Sequence, residues 1–202
     1  MVGNPYPSSI DMQRFLSGNS GIGAIYVYNQ ANNSYNTYNI LSAPGGVTIA
    51  SGQAFFIHAS QVSQTISFTN AMRVRENANI VRDASVDGTI LHLYKDDEEQ
   101  FSTRIAFHAD ATDAYDIKFD APLLPGSSNA MIYSMYKGEA MAIQALGKSK
   151  EDKSIQLGLD SAVGTYRIQA KGNNLPYLID KKRNVMHNLA DGEYTFDSLE
   201  DA

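Results

Sequence analysis

The 202-residue chain contains no cysteine and no tryptophan. Without cysteine there is no thiol nucleophile, no thiolate-held zinc and no disulfide, although this does not decide the compartment. No apolar run approaches the roughly 20 residues that a membrane-spanning helix needs. Cationic residues are also in the minority: 16 Lys and Arg face 22 Asp and Glu, a formal charge of −6. That balance argues against nucleic acid as a partner, because counterion displacement from phosphates requires a basic face. No basic-then-apolar leader precedes Met1-Val2-Gly3-Asn4, and the last residues follow directly on a strand-like segment. Both ends read as cut from a longer polypeptide.

What is present is a succession of short strand patterns. Twelve tyrosines and 15 glycines accompany abundant Asn and Ser. Gly3 to Ser8 is a turn cluster, and Ile10–Leu16 reads as a short helix capped by Ser9 or Asp11 and stopped by Gly18. Ala24–Tyr28 and Tyr35–Leu41 flank Asn32-Asn33-Ser34 as a hairpin. Val47–Ala50, Ala54–Ala59 and the alternating Gln64–Asn70 read as further strands. Arg73–Gly88 breaks every apolar face and reads as a linker. Ten short strands are then expected: 89–94, 101–108, 116–119, 131–136, 140–145, 154–159, 164–170, 177–180, 185–189 and 193–196. Such spacing without long amphipathic helices predicts an all-β, antiparallel sandwich or jelly-roll-like fold. An N-terminal β subregion over residues 1–86 would pack on, or run continuously into, a C-terminal sandwich over residues 87–202.

Four ordered blocks resemble a known family. Gly3-Asn4-Pro5-Tyr6-Pro7-Ser8-Ser9-Ile10-Asp11 is the first. Ile49 to Ile57 with Ile66 to Arg73 is the second. Asp110-Ala111-Thr112-Asp113-Ala114-Tyr115-Asp116 with Phe119-Asp120-Ala121-Pro122-Leu123 is the third. Tyr177 to Asp180, His187-Asn188-Leu189 and Gly192 to Phe196 form the fourth. Together they resemble the β-sandwich region of large secreted Bacteroidota surface proteins, ahead of their type IX secretion sorting domain. Met12 stands where that family often has Trp. The resemblance implies an extracellular or outer-surface location, no general catalytic activity, and a role in adhesion or beside polysaccharide-degrading enzymes.

Several constellations could carry chemistry. Asp110, Asp113, Asp116 and Asp120 are spaced three, three and four apart in a turn-rich segment. They could supply oxygens to calcium, although the pattern lacks the Gly and Glu of an EF-hand; alternatively they cap turns through neighbouring N–H groups. Asp96-Asp97-Glu98-Glu99 reads as a solvated hairpin tip. Tyr26, Tyr28, Tyr35 and Tyr38 interleave with Asn29, Asn33, Asn36 and Asn39. Aromatic faces stacking on sugar C–H groups, with amides such as Asn36 for hydroxyls, would make a glycan platform. The plainer account is cross-strand tyrosine packing. His58, His92, His108 and His187 fall at neither i, i+2 nor i, i+4 spacing, so no zinc motif arises. Gly147-Lys148-Ser149 lacks the upstream Gly of a phosphate loop, where Ala142 stands. Lys181-Lys182-Arg183 reads as a solvated turn.

The expected function is therefore a non-catalytic surface module that binds carbohydrate or another surface. The alternative is a structural building block that self-associates through an open sheet edge. A polysaccharide-active hydrolase is a third reading, since two carboxylates can fall at glycosidase separation by chance.

Overall fold

The computed structural model of the chain describes residues 1–43, 46–74, 87–149 and 151–199. Of the expected linker Arg73–Gly88, residues 75–86, and with them the boundary at residue 86, lie outside the described residues, and Gly88 opens a strand. The N-terminal half contains β1 (Val2–Gly3), β2 (Ile10–Asp11), α1 (Met12–Gly18), β3 (Ile22–Asn29), β4 (Ser34–Tyr38), β5 (Thr48–Ile49) and β6 (Ala54–Ala59), and ends in a 3-10 turn at Asn70–Met72. Four strands form an antiparallel sheet in the order β1-β6-β3-β4, and β2 pairs with β5.

Asp11 starts the helix. Its backbone is extended and its carboxylate accepts from Arg14 N at 2.9 Å, which satisfies a donor that the first helical turn leaves open. Met12, Phe15 and Leu16 then fall on one face and are buried. Phe15 meets Phe55 edge-on at 5.5 Å and Phe68 at 5.3 Å, in a core completed by Ile10, Ile25, Tyr38 and Ile49.

The expected strand at Gln64–Asn70 is not in any ladder. Its alternation is real: Ile66 and Phe68 are half-buried against the core while their neighbours are exposed. Its partner, however, is a side chain. Asn19 accepts from Ser67 N at 2.7 Å and donates to Ser67 O at 3.0 Å, so a single amide does what a neighbouring strand would do.

The C-terminal half contains β7 (Gly88–Lys95), β8 (Glu98–His108), β9 (Ala121–Pro122), β10 (Ala130–Tyr136), β11 (Glu139–Gly147), β12 (Leu157–Ser161), β13 (Gly164–Gly172), β14 (Tyr177–Asp180), β15 (Val185–Asn188) and β16 (Tyr194–Ser198). The large sheet runs β12-β10-β11-β8-β7-β13-β16, with β9 on β11, while β14 and β15 form a separate hairpin. Among the described residues all strand pairings are antiparallel except β8 with β11. The sheet curls into a half-barrel around Leu91, Leu93, Ile105, Ile132, Leu146, Tyr166 and Phe196, and the β14–β15 hairpin lays Leu178 against this core. The expected strand at Asp116–Phe119 is instead a turn, with Phe119 N and Asp120 N both donating to Asp116 O at 2.8 Å.

The fold is all-β and sandwich-like, and the two halves share a seam. Ala24 and Tyr26 of β3 pack on Ala121 and Ile143, while Ile40 and Leu41 pack on Ala106, Phe119 and Ala145. Tyr26 donates its hydroxyl to Pro122 O at 2.8 Å, Asn32 donates to Gln100 O at 3.1 Å, and Ser127 N donates to Asn33 O at 2.8 Å. Gly126 lies so close to this seam that a Cβ there would stand 2.4 Å from Asn33 O.

Candidate functional site

The tyrosine set divides between two faces of one sheet. In β3, alternation places Tyr26 and Tyr28 on one face and Ile25 and Val27 on the other. Register then sorts the partners: Tyr28 opposes Tyr35, whereas Tyr38 opposes Ile25 and Asn36 opposes Val27. Tyr38 is consequently buried in the N-terminal core, and burial raises its pKa, partly offset by Asn36 beside it. Tyr26 is buried at the seam, where desolvation, with Tyr115 adding, pushes its phenol far above the usual range. The expected five-residue platform of Tyr26, Tyr28, Tyr35, Tyr38 and Asn36 therefore does not form. The physical reason is the period-2 pleat, which sends Tyr38 and Asn36 away from Tyr28 and Tyr35.

What remains is a smaller aromatic ledge with one member that sequence reasoning missed. Phe56 of β6 opposes Tyr26 and lies on the same face. The rings of Tyr28 and Tyr35 are 5.4 Å apart at 61°, and those of Tyr35 and Phe56 are 5.7 Å apart at 89°. Tyr28 is 49% exposed and Phe56 38% exposed, with Tyr35 half-buried between them. Tyr28 donates its hydroxyl to Asn33 Oδ1 at 3.1 Å. The adjacent pair Phe55-Phe56 was the available signal, since alternation must bury one and expose the other.

The aspartates do not gather. Asp110 is exposed. Asp113 forms an ion pair with Lys153 and accepts from Gly147 N, and the lysine holds its carboxyl below the usual range. Asp116 Oδ2 accepts from Thr112 N at 2.6 Å and from its hydroxyl at 2.8 Å. Asp120 is buried, with Oδ1 accepting from Ala145 N and Oδ2 from Asp116 N, both at 2.7 Å. Burial raises its pKa in spite of those two bonds. Three of the four expected calcium ligands thus fasten the 112–120 turn to its neighbours. Among the described residues no group of three or more His, Asp and Glu side chains is arranged to hold a metal ion.

Several other ionisable groups have partners of their own. Asp96 and Asp97, at φ +50° and +64°, form the two-residue turn between β7 and β8. Asp97 reaches Arg167, which also meets Glu193 at 2.8 Å. His92 Nδ1 lies 2.9 Å from Glu99 Oε1, and that contact lowers the Glu99 pKa. His58 Nδ1 lies 3.3 Å from the Tyr115 hydroxyl across the seam, and burial lowers its pKa. His108 accepts from Asp110 N at 3.2 Å, and His187 Nε2 is 3.0 Å from Gly192 O.

Among the described residues no helix is long and apolar enough to cross a membrane. The curated proteins and the solved structures contain no match to this chain. A family model described as a domain of unknown function, DUF8693, matches residues 24–202, from β3 of the N-terminal sheet through the whole half-barrel, and the chain belongs to that family.

Proposed function

We propose that this chain is a non-catalytic carbohydrate-binding module working outside the cell or on its outer surface, and that its contact surface is the Tyr28–Tyr35–Phe56 ledge. The observation that carries this reading is three aromatic rings in one contact chain, two of them well exposed, on an otherwise regular sheet face. Sugars present C–H faces that pack on aromatic rings and hydroxyls that bond to groups such as the Tyr28 phenol and the Asn33 amide. The rings meet edge to face, so the ledge is not a flat platform. It suits a single, twisted glycan chain better than the planar face of a crystalline polymer. The extracellular setting is supported by the family resemblance in the four sequence blocks. The non-catalytic character is supported by the structural employment of Asp113, Asp116, Asp120, Glu99 and the histidines in turns and ion pairs.

A glycan array followed by titration calorimetry on the best soluble oligosaccharide tests this reading. Saturable binding is expected, weakened about three- to tenfold by Tyr28→Ala or Phe56→Ala, the worth of one aromatic contact. Both variants should remain folded, with Tm lower by no more than about 6 °C for the one ring contact each loses. Binding that survives the double variant would refute the site, and release of shortened sugars from a polysaccharide panel would refute the non-catalytic reading.

A further inference from the structure

We propose that the Tyr28–Tyr35–Phe56 ledge continues into an acidic corner headed by Glu139, and that the two together select a glycan built of amino sugars with free, protonated amines. This rests on the reading of the ledge as a carbohydrate surface and names the sugar class.

The ledge does not end at Phe56. Alternation along β6 puts His58 on the same side as Phe56, about 6–7 Å further along the strand. There the C-terminal half crosses the face. Tyr115 brings its hydroxyl to 3.3 Å from His58 Nδ1, and the two rings stand edge to face at 6.4 Å. Leu124 packs, as Tyr35 does, on the seam cluster of Ala24, Tyr26, Ala121 and Ile143. The start of β11 runs beside this segment. Pro122 opposes Met141 and Leu123 N donates to Ala140 O at 2.8 Å, so Glu139 falls opposite Leu124. Register thus carries Glu139 to the end of the ledge, and it is close enough to both His58 and Tyr115 to act on their ionisation.

The corner holds one uncompensated charge. Glu139 is exposed, and among the described residues no cation pairs with it. Its two titratable neighbours stay neutral. Burial lowers the His58 pKa against the pull of Glu139, and burial, with Asp120 and Glu139 adding, pushes the Tyr115 phenol up to about 12. Asp120, the other acid that Tyr115 senses, is buried and spends both oxygens on backbone N–H groups. A ligand on the ledge therefore meets the Glu139 carboxylate and no other free acid at this end.

That arrangement defines the ligand. A sugar resting on Phe56 reaches the next side chain along the strand with its ring substituents. A neutral sugar leaves the carboxylate to water, and an acidic one is repelled by it. An ammonium substituent is attracted twice, by the carboxylate and by the neighbouring ring faces, whose quadrupoles favour cations. The formal charge of −6 on the whole chain adds a long-range pull on a polycation.

The test is titration calorimetry of the full chain with three tetrasaccharides that share one β-1,4-linked backbone and consist of glucosamine, N-acetylglucosamine or glucose, in buffer where the amines are protonated. The glucosamine tetramer should bind about three- to tenfold more tightly than the other two, the worth of one exposed ion contact and one cation–π contact. Raising the salt concentration should shrink that margin in the unaltered protein. Glu139→Gln should bring the glucosamine tetramer down to the level of the others, and Glu139→Lys should place it below them. Equal binding of the three, tightest binding of an uncharged tetramer, a margin indifferent to salt, or a margin that survives Glu139→Gln overturns this inference and leaves the ledge reading standing. Binding of no tetramer, or binding indifferent to Phe56→Ala, overturns both. Tetralysine binding as tightly as the glucosamine tetramer would make a basic peptide the occupant and would also overturn the inference.

Discussion

Removal of the Asp120 carboxylate should unfasten the turn that carries the third sequence block. Asp120 immediately precedes the two-residue strand β9 and extends its pairing with β11 through a side chain, since Oδ1 takes the Ala145 N–H beyond the Ala121–Ile143 pair. Oδ2 takes the N–H of Asp116. In Asp120→Ala two N–H groups lose a charged acceptor, each bond contributing about 1.5–3 kcal/mol. Relief of a buried charge offsets part of this, so a net loss of about 2 kcal/mol is expected. For a chain of this size that corresponds to a Tm lower by about 4–8 °C. Asp120→Asn keeps one acceptor and turns a donor toward the other N–H, so its loss should be intermediate. The pH dependence has an unusual sign for an aspartate. Burial raises its folded pKa above the unfolded value, so the folded state binds more protons between the two. Its contribution is fully present below the ordinary carboxylate range and is lost as pH rises through the raised value. Urea unfolding of wild type and Asp120→Asn across that window should show the wild-type advantage shrinking with pH. An advantage that grows with pH, or an Asp120→Ala variant within about 0.5 kcal/mol of wild type, would refute the reasoning. The same samples address calcium: Tm should be equal in millimolar calcium and in chelator, because an ion bound only by the folded state would raise it.

Three further outcomes follow from the seam and the β7–β8 hairpin. Gly126→Ala forces a Cβ against the Asn33 carbonyl and should cost about 1–3 kcal/mol in urea unfolding, with faster proteolysis between the halves. Tyr26→Phe removes the bond to Pro122 O and should cost about 1 kcal/mol. In alkaline spectrophotometric titration the Tyr26 phenol should ionise after the exposed tyrosines, and the stability it contributes should be lost only as pH rises through its raised value. Glu99→Gln should flatten the acid limb of the stability profile. His92 depresses the Glu99 pKa, so that contribution is present above the ordinary glutamate value and is lost as pH falls through the depressed one.

The periodic segments were legible from side chains alone. The strand at Ala54–Ala59 and that at Tyr177–Asp180 end where the sequence places them, and Asp11 caps the helix as its residue type suggests. Segments whose backbone is satisfied by side chains were not legible. Gln64–Asn70 alternates like a strand, yet its partner is the amide of Asn19. Asp116–Phe119 carries strand-like residues, yet it turns on the carboxylates of Asp116 and Asp120. Such partners lie far away in the chain or compete with the ladder locally, and no pattern of apolar residues reports them.

The sequence by itself determined an all-β chain, because alternation with a period of two and glycine- or Asn-rich turns leave little else that buries its apolar residues. It also marked Tyr28 and Tyr35 of the ledge, though not Phe56. Only the tertiary structure decided which of them meet. Strand register sent Tyr38 into the core and left Asn36 exposed on the side opposite Tyr28 and Tyr35, the seam buried Tyr26, and pairing with β6 brought Phe56 beside Tyr35. The curl of the large sheet likewise decided that Leu159 and Phe196, 37 residues apart in the chain, face one cleft. Pleat alternation is local and readable, whereas register and curl depend on which distant strands pair, and that is settled by the packing of the whole molecule.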